Sequence, residues 1–394
     1  MKFIPRKISK HLKNIVKQFP VMLLTGARQS GKSTLLQKLF SPYEYVSLDN
    51  IKIRQQATAD PELFLTNYNP PLIIDEVQHI PDLLSYIKLN VDKTKTKGSY
   101  ILTGSQQFSL VSDIHESLAG RAGTAYLDPF SIEELYFSKN MKIPFWTEIC
   151  LSGLYPEPNT EKGINLNLWF SNYIDSILNK DIKNNLRKEH LKSYDHFIKL
   201  IATRTAQELK YSNISNELGV SSLTIQSWTG FLERSQLIYL LPPYYKNLGK
   251  RIVKSHKLYF LDAGLVAFLT GHRTKEQILD GPMSGQLFET LVVSEIVKYF
   301  HNRGEKPPIF YYRENLGAEV DLMLDFQNKV LLIEIKATSN VTKKHIEPLK
   351  KVQSLIPKSR AIVLCNISRD FYIDENILAI NWLNISKFLN EYFN

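Results

Sequence analysis

Gly26-Ala27-Arg28-Gln29-Ser30-Gly31-Lys32-Ser33 follows the apolar run Val21–Thr25 and opens a stretch with helical periodicity. The octapeptide matches G-x-x-x-x-G-K-[ST], and a place between a strand and a helix is the context in which that pattern cradles phosphate. Glycines let the backbone curl until several N–H groups face one phosphate, and the following helix adds the positive end of its dipole. Residues 26–34, with Thr34 in the first helical turn, are the expected nucleotide-binding set. Lys32 is expected to reach the β and γ phosphates of ATP and Ser33 to ligate Mg²⁺.

The second half of such a site needs an acidic pair at the end of a buried strand. Leu72-Ile73-Ile74-Asp75-Glu76 supplies it. Apolar residues carry the strand through the core and Asp75 emerges at its carboxyl end, where α/β sheets place ligands. Asp75 is read as the Mg²⁺ residue and Glu76 as the group that orients and polarises the attacking water. Leu102-Thr103-Gly104-Ser105-Gln106 ends a further strand, so Ser105 or Gln106 is placed to sense the γ-phosphate. Arg121 is a candidate positive charge for the transition state, in its own chain or in a neighbouring subunit of a homo-oligomer assembled through the ATPase domain. A structural salt bridge is the alternative for Arg121.

Several longer stretches resemble a family of uncharacterised prokaryotic AAA-type ATP-binding proteins. They are Thr25 to Thr34, Asp75-Glu-Val-Gln-His-Ile-Pro81, Leu102 to Gln106, Leu118-Ala-Gly-Arg121, Tyr173 to Ile182 and Glu319-Val-Asp321. Ser152-Gly153-Leu154-Tyr155-Pro156-Glu157 departs from the double glycine that the family shows there. The resemblance implies an AAA-type ATPase module followed by a C-terminal domain of unknown function with a restriction-endonuclease-like end.

Periodicity extends the reading along the chain. Short apolar runs at 21–25, 45–48, 72–74, 100–103 and 124–127 alternate with helical patterns, which implies a parallel sheet. Residues 131–134 have capping-box spacing and begin a mainly helical region. A helix over 213–220 ending at a glycine, a second over 221–234 capped by serine, and strands at 237–241 and 251–260 form a helix-turn-helix with a wing. A helix over 285–300 is followed by strands at 311–313, 318–324 and 330–337, a helix over 345–354 and a strand at 360–365. The expected α/β architecture has an N-terminal P-loop AAA-type parallel sheet (1–130), a helical linker and winged-helix middle (131–265) and a C-terminal α/β restriction-endonuclease-like domain (266–394).

Charge points to an acidic partner. The 394 residues carry a formal charge of +10, and residues 181–256 hold twelve Lys and Arg against six Asp and Glu. Nucleic acid, DNA above all, is the expected partner. Ser222, Thr224, Gln226 and Ser227 would meet bases or phosphates from the second helix, and Lys246, Lys250, Arg251 and Lys254, with Tyr244 and Tyr245, would sit on the wing. Two isolated cysteines, Cys150 and Cys365, offer neither a disulfide framework nor a metal motif. No apolar run approaches the roughly 20 residues that cross a bilayer, so a cytoplasmic protein without a membrane partner is expected.

Near the C-terminus, Glu319 and Asp321 share one strand face, and Glu334 and Lys336 share one face of the next strand. A hairpin sets Asp321 beside Glu334. Carboxylates that close repel unless a cation lies between them, and Mg²⁺ is the natural choice. Lys336 would stabilise the transition state of phosphodiester cleavage, and Glu289 on the preceding helix would complete the set. The function expected is Mg²⁺-dependent ATP hydrolysis that couples nucleotide state to nucleic-acid binding, with a nuclease at this cluster. The alternative is a nucleotide-controlled DNA-binding regulator or protein-remodelling scaffold without nuclease activity.

Overall fold

The computed structural model describes residues 3–104, 117–137, 142–177, 191–244, 255–313, 318–356 and 358–393. A parallel sheet forms from β1 (Val21–Thr25), β2 (Glu44–Ser47), β3 (Leu72–Asp75), β4 (Tyr100–Thr103) and β5 (Ala122–Tyr126), in the order β2-β3-β4-β1-β5. Alternation splits its side chains between two cores. Val21, Leu23, Leu72, Ile74, Tyr100 and Leu102 join one core, whereas Met22, Leu24, Ile73 and Ile101 join the other. Both faces are covered, which is why β1, β3 and β4 are apolar without a polar stripe. All the carboxyl ends lie on one edge, so the loops after β1, β3 and β4 converge there.

The expected capping box forms: Ser131 Oγ accepts from Glu134 N at 3.2 Å, and Ser131 N donates to Glu134 Oε2 at 2.9 Å. Helix Tyr211–Leu218 stops at Gly219, whose φ of +64° is a left-handed cap. Helix Ser222–Arg234 begins at Ser221, whose Oγ accepts from Thr224 N at 3.1 Å. Strands β6 (Gln207–Glu208), β7 (Ile238–Leu241) and β8 (Lys257–Phe260) make a small antiparallel sheet in the order β6-β8-β7, with Ile238 opposite Phe260. The expected strand at 251–260 is thus Lys257–Phe260 within the described residues. Tyr245, Lys246, Lys250, Arg251 and Lys254 lie outside them, as do Ser105 and Gln106.

The long helix Ser284–His301 leads into β9 (Ile309–Arg313), β10 (Glu319–Phe326) and β11 (Lys329–Lys336), with β10 in the middle and antiparallel to both neighbours. Helix Glu347–Leu355 then crosses to β12 (Arg360–Cys365), parallel to β11. β13 (Phe371–Asp374), β14 (Ile377–Asn381) and helix Ile385–Phe393 complete the region, where the sequence reading had placed no elements. The hairpin turn is tighter than expected. Gln327 and Asn328 alone connect Phe326 to its partner Lys329, with φ of 53° and 62°, the doubly left-handed form that matches strand twist. One apolar core runs from the helical region into the C-terminal sheet: Trp146 packs edge-on against Phe288, and Phe288 against Trp382. The boundary near 265 therefore marks a change of secondary structure, not a break in the core.

That core is fastened where two glycines meet. Asp262 is buried and caps helix Ala263–Leu269 through Leu265 N (2.9 Å) while its other oxygen accepts from Leu154 N (2.7 Å). Burial raises the pKa of its carboxyl. A Cβ on Gly264 would lie 2.4 Å from Gly153 Cα, a contact that no relaxation of a side chain can relieve. Gly264→Ala is expected to destabilise the protein by about 1–3 kcal/mol through overpacking. Chemical denaturation measures it, and an unchanged midpoint would contradict the close approach.

Candidate functional site

The loop after β1 curls as its glycines permit. A Cβ on Gly26 would stand 2.2 Å from Leu127 O, so no other residue fits between the loop and the end of β5. Gly31 caps helix Lys32–Leu39 with φ +91°, and Gln29 also has a positive φ of 58°. Lys32 is 7% exposed, and its Nζ donates to Gly26 O (2.8 Å) and Ala27 O (3.1 Å). Its ammonium is therefore held inside the ring of the loop. Pro156, first residue of helix Pro156–Thr160, meets the loop from outside, with Cγ 3.6 Å from the Cβ position of Gly31.

The register brings the acidic pair alongside. Ser33 Oγ donates to Asp75 Oδ2 at 2.6 Å, across 42 residues of sequence. Tyr45, on the neighbouring strand β2, donates its hydroxyl to the same oxygen. Burial, then the Asp75 carboxylate, push the Tyr45 phenol up to about 12, so it remains a donor at neutral pH. Glu76 adopts φ 56°, ψ 44°. A side chain larger than Asn seldom occupies this region, and such outliers gather at functional sites. Gln78 Nε2 donates to Glu76 Oε2 and fixes the carboxylate. Nearby, the hydroxyls of Thr25, Ser30 and Thr103 are buried without hydrogen-bond partners. Thr103 ends β4 beside Leu24 of β1. Orphaned polar atoms around a hydroxyl and a carboxylate suit a polyphosphate with a hard cation.

Arg121 is not at this place. It immediately precedes β5, and Ala122 pairs with Val21, the first residue of β1, whereas the loop follows the last. The two ends are roughly 13 Å apart at strand rise. Its guanidinium instead grips Asp92 with Nε (2.5 Å) and Nη2 (3.0 Å), which lowers the carboxyl pKa of Asp92. The expected role at its own chain's phosphate is thereby corrected to a surface ion pair. Sequence reasoning passed over Tyr45 and Thr103; knowing that β2 and β4 flank β3 would have found both.

The C-terminal residues do come together, in a different way from that expected. The β10–β11 register sets Asp321 level with Glu334. The cation between them is the Lys336 ammonium, 3.3 Å from Asp321 Oδ2 and 2.6 Å from Glu334 Oε1. Asp321 Oδ2 also accepts from Ile335 N at 2.9 Å. Among the described residues no three Asp, Glu, His or Cys side chains are grouped to hold a metal ion. Lys336, two residues from Glu334, shares its face and reaches both of the carboxylates between which Mg²⁺ is expected. Glu289 accepts from Tyr259 OH at 2.6 Å. Burial, then the charge of Asp321, push Glu289 up to about 8 and Glu334 up to about 7. Burial opposes the charge on Lys336, but Asp321 and Glu334 outweigh it and raise its pKa.

Residues 18–136 match an AAA domain family. The N-terminal part of the chain is thus similar to an AAA domain. Residues 144–276 and 284–385 match two domains of unknown function, DUF8612 and DUF4143. The uncharacterized protein Rv2008c of Mycobacterium tuberculosis is 26% identical over 335 residues, covering 85% of this chain and 74% of its own. The uncharacterized protein MJ1637 of Methanocaldococcus jannaschii is 23% identical over 429 residues, covering 96% and 86%. Among solved structures, the Walker-type ATPase PABY2304 of Pyrococcus abyssi aligns with 67% of this chain and 94% of its own, at 16% identity and a TM-score of 0.42. No helix among the described residues is long and apolar enough to cross a membrane.

Tyr45→Phe removes one hydroxyl bonded to a charged oxygen, worth about 1.5–3 kcal/mol. We expect the Mg²⁺ concentration for half-maximal ATP turnover to rise about tenfold, with ATP binding in EDTA unaltered. Equal Mg²⁺ requirements in the two proteins would remove Tyr45 from the site.

Proposed function

We propose that this chain is a Mg²⁺-dependent ATP hydrolase whose nucleotide state governs binding to nucleic acid. The observation that carries the first part is the Ser33–Asp75 pair, 2.6 Å apart, beside a buried Lys32 in an intact phosphate loop. Backbone N–H groups of residues 26–33 would cradle the phosphates and Lys32 would counter their charge. Mg²⁺ held by Ser33 and Asp75 would neutralise charge that develops on the phosphoryl oxygens. Glu76, braced by Gln78, would orient water and accept its proton.

The nucleic-acid part rests on the basic segment 181–256 and on helix Ser222–Arg234. That helix buries Ile225, Trp228, Thr229 and Leu232 and leaves Ser222, Gln226 and Ser227 exposed, with Thr224 half-buried. Ser222, Gln226 and Ser227 share the outer face with the exposed Leu223 and would meet phosphates or base edges. A second reading adds phosphodiester cleavage at Asp321, Glu334, Lys336 and Glu289. It is supported by the order helix, three antiparallel strands, helix and parallel strand, with both carboxylates and the lysine on one side of the central hairpin.

Glu76→Gln keeps the shape and loses the charge. Turnover is expected to fall about 10²- to 10⁴-fold with ATP affinity little changed, as single-turnover kinetics and equilibrium binding would measure; normal turnover would place the base elsewhere. Retention on duplex DNA should fall linearly with log salt. Salt-independent or absent retention would favour a protein-remodelling scaffold, and intact DNA after incubation with Mg²⁺ or Mn²⁺ would end the nuclease reading.

A further inference from the structure

Residues 128–134 are gripped from two sides. On one side is Arg6, 6% exposed and far from the loop in sequence. Its Nη1 donates to Ser30 O at 3.0 Å, its Nη2 to Asp128 O at 2.7 Å and Pro129 O at 3.3 Å, and its Nε to Glu134 Oε1 at 3.2 Å. The guanidinium also lies 4.7 Å from the centre of the Phe130 ring. Glu134 in turn accepts from Lys7 N (2.7 Å) and Ser131 N (2.9 Å). Only a planar fork with donors in fixed directions meets four such acceptors at once; an ammonium cannot.

On the other side is helix Ser284–His301. Glu295 Oε2 accepts from Ile132 N at 2.9 Å. Lys298 Nζ donates to Phe130 O at 3.2 Å and Glu295 Oε1 at 2.9 Å. His301 Nδ1 and Asp128 Oδ2 are 2.8 Å apart. Residues spaced by three fall on one helical face, and here three in succession hold one segment. Glu289, in the Asp321–Lys336 cluster, sits six residues earlier, roughly 9 Å along the same rod.

The peptide plane makes the first contact matter for phosphate. In a trans peptide the C=O of Ser30 and the N–H of Gly31 point in opposite directions. Anchoring that carbonyl on Arg6 therefore aims the Gly31 N–H away from Arg6 and fixes the apex of the loop. We infer that Arg6 is a positioning residue for the phosphate loop, and that residues 128–134 carry the loop's occupancy to helix Ser284–His301 and the C-terminal cluster. This rests on the nucleotide reading above. A phosphate that draws the Gly31 N–H inward pulls the Ser30 carbonyl and Arg6 with it. Arg6 moves its other acceptors, and the helix follows because its Glu295 and Lys298 are buried against the same backbone.

The test is hydrogen exchange of the full chain with and without Mg²⁺ and the non-hydrolysable β,γ-imido analogue of ATP. In the wild type, the analogue should alter protection in residues 128–134 and in 284–301. Arg6→Lys should weaken analogue binding at least tenfold while circular dichroism remains native. Lys298→Met, which removes hydrogen bonds to Phe130 O and Glu295 and none to the loop, should bind the analogue within about twofold of wild type yet lose the response in 284–301. A wild type that binds the analogue without any response in 284–301 overturns the inference alone, and so does Arg6→Lys with unchanged affinity. No binding by the wild type removes the nucleotide reading and the inference together.

Discussion

The backbone must reverse between β1 and helix Lys32–Leu39 in the space left beside Leu127 O. A side chain on Gly26 would collide with that oxygen at 2.2 Å, so the curl of the loop is fixed by the neighbouring strand as well as by its own dihedrals. Because β5 lies against β1 in parallel register, the chain leaving β5 passes directly behind the loop. Residues 128–134 are that chain. The phosphate loop, the segment that reaches the helical region and the long helix of the C-terminal region therefore meet at one place.

Charges buried at this junction are placed for geometry. A buried ion pair is weak evidence for stability, since desolvation offsets most of the attraction. Arg6 with Glu134, and Lys298 with Glu295, nevertheless satisfy backbone groups on residues 128–132 that would otherwise be orphaned. The C-terminal cluster follows the same logic at higher charge density. Burial, then the charge of Asp321, raises the proton affinity of Glu289 and Glu334, and the Lys336 ammonium lies between Asp321 and Glu334. Helix Ser284–His301 belongs to both assemblies, and that gives a physical route between two sites that the primary structure sets more than 250 residues apart.

The elements legible in the sequence were those with local signals. The glycine loop, the capping box at Ser131 and the glycine stop at 219 need only neighbouring residues, and strands β1, β4 and β12 were read with their observed bounds. β13 and β14 were not legible: Phe371–Asp374 is largely exposed and shows no burial alternation. Contacts distant in sequence were also hidden. Arg6 finds its partners 24 to 128 residues away, and no periodicity announces them. Arg121 illustrates the converse, since parallel pairing sets it at the amino end of β5, away from the loop and against Asp92. At the C-terminal cluster the register and the shared face of Glu334 and Lys336 are legible from strand alternation, whereas the ion pairs of Lys336 with both carboxylates are not.

The central claim is that Ser33, Asp75 and the loop around Lys32 form one site for ATP with Mg²⁺. Calorimetric titration of the full chain with ATP, in Mg²⁺ and again in EDTA, addresses it directly. The account predicts saturable binding of one ATP per chain that weakens when Mg²⁺ is removed. No saturable binding at millimolar ATP, or binding indifferent to Mg²⁺, would contradict it.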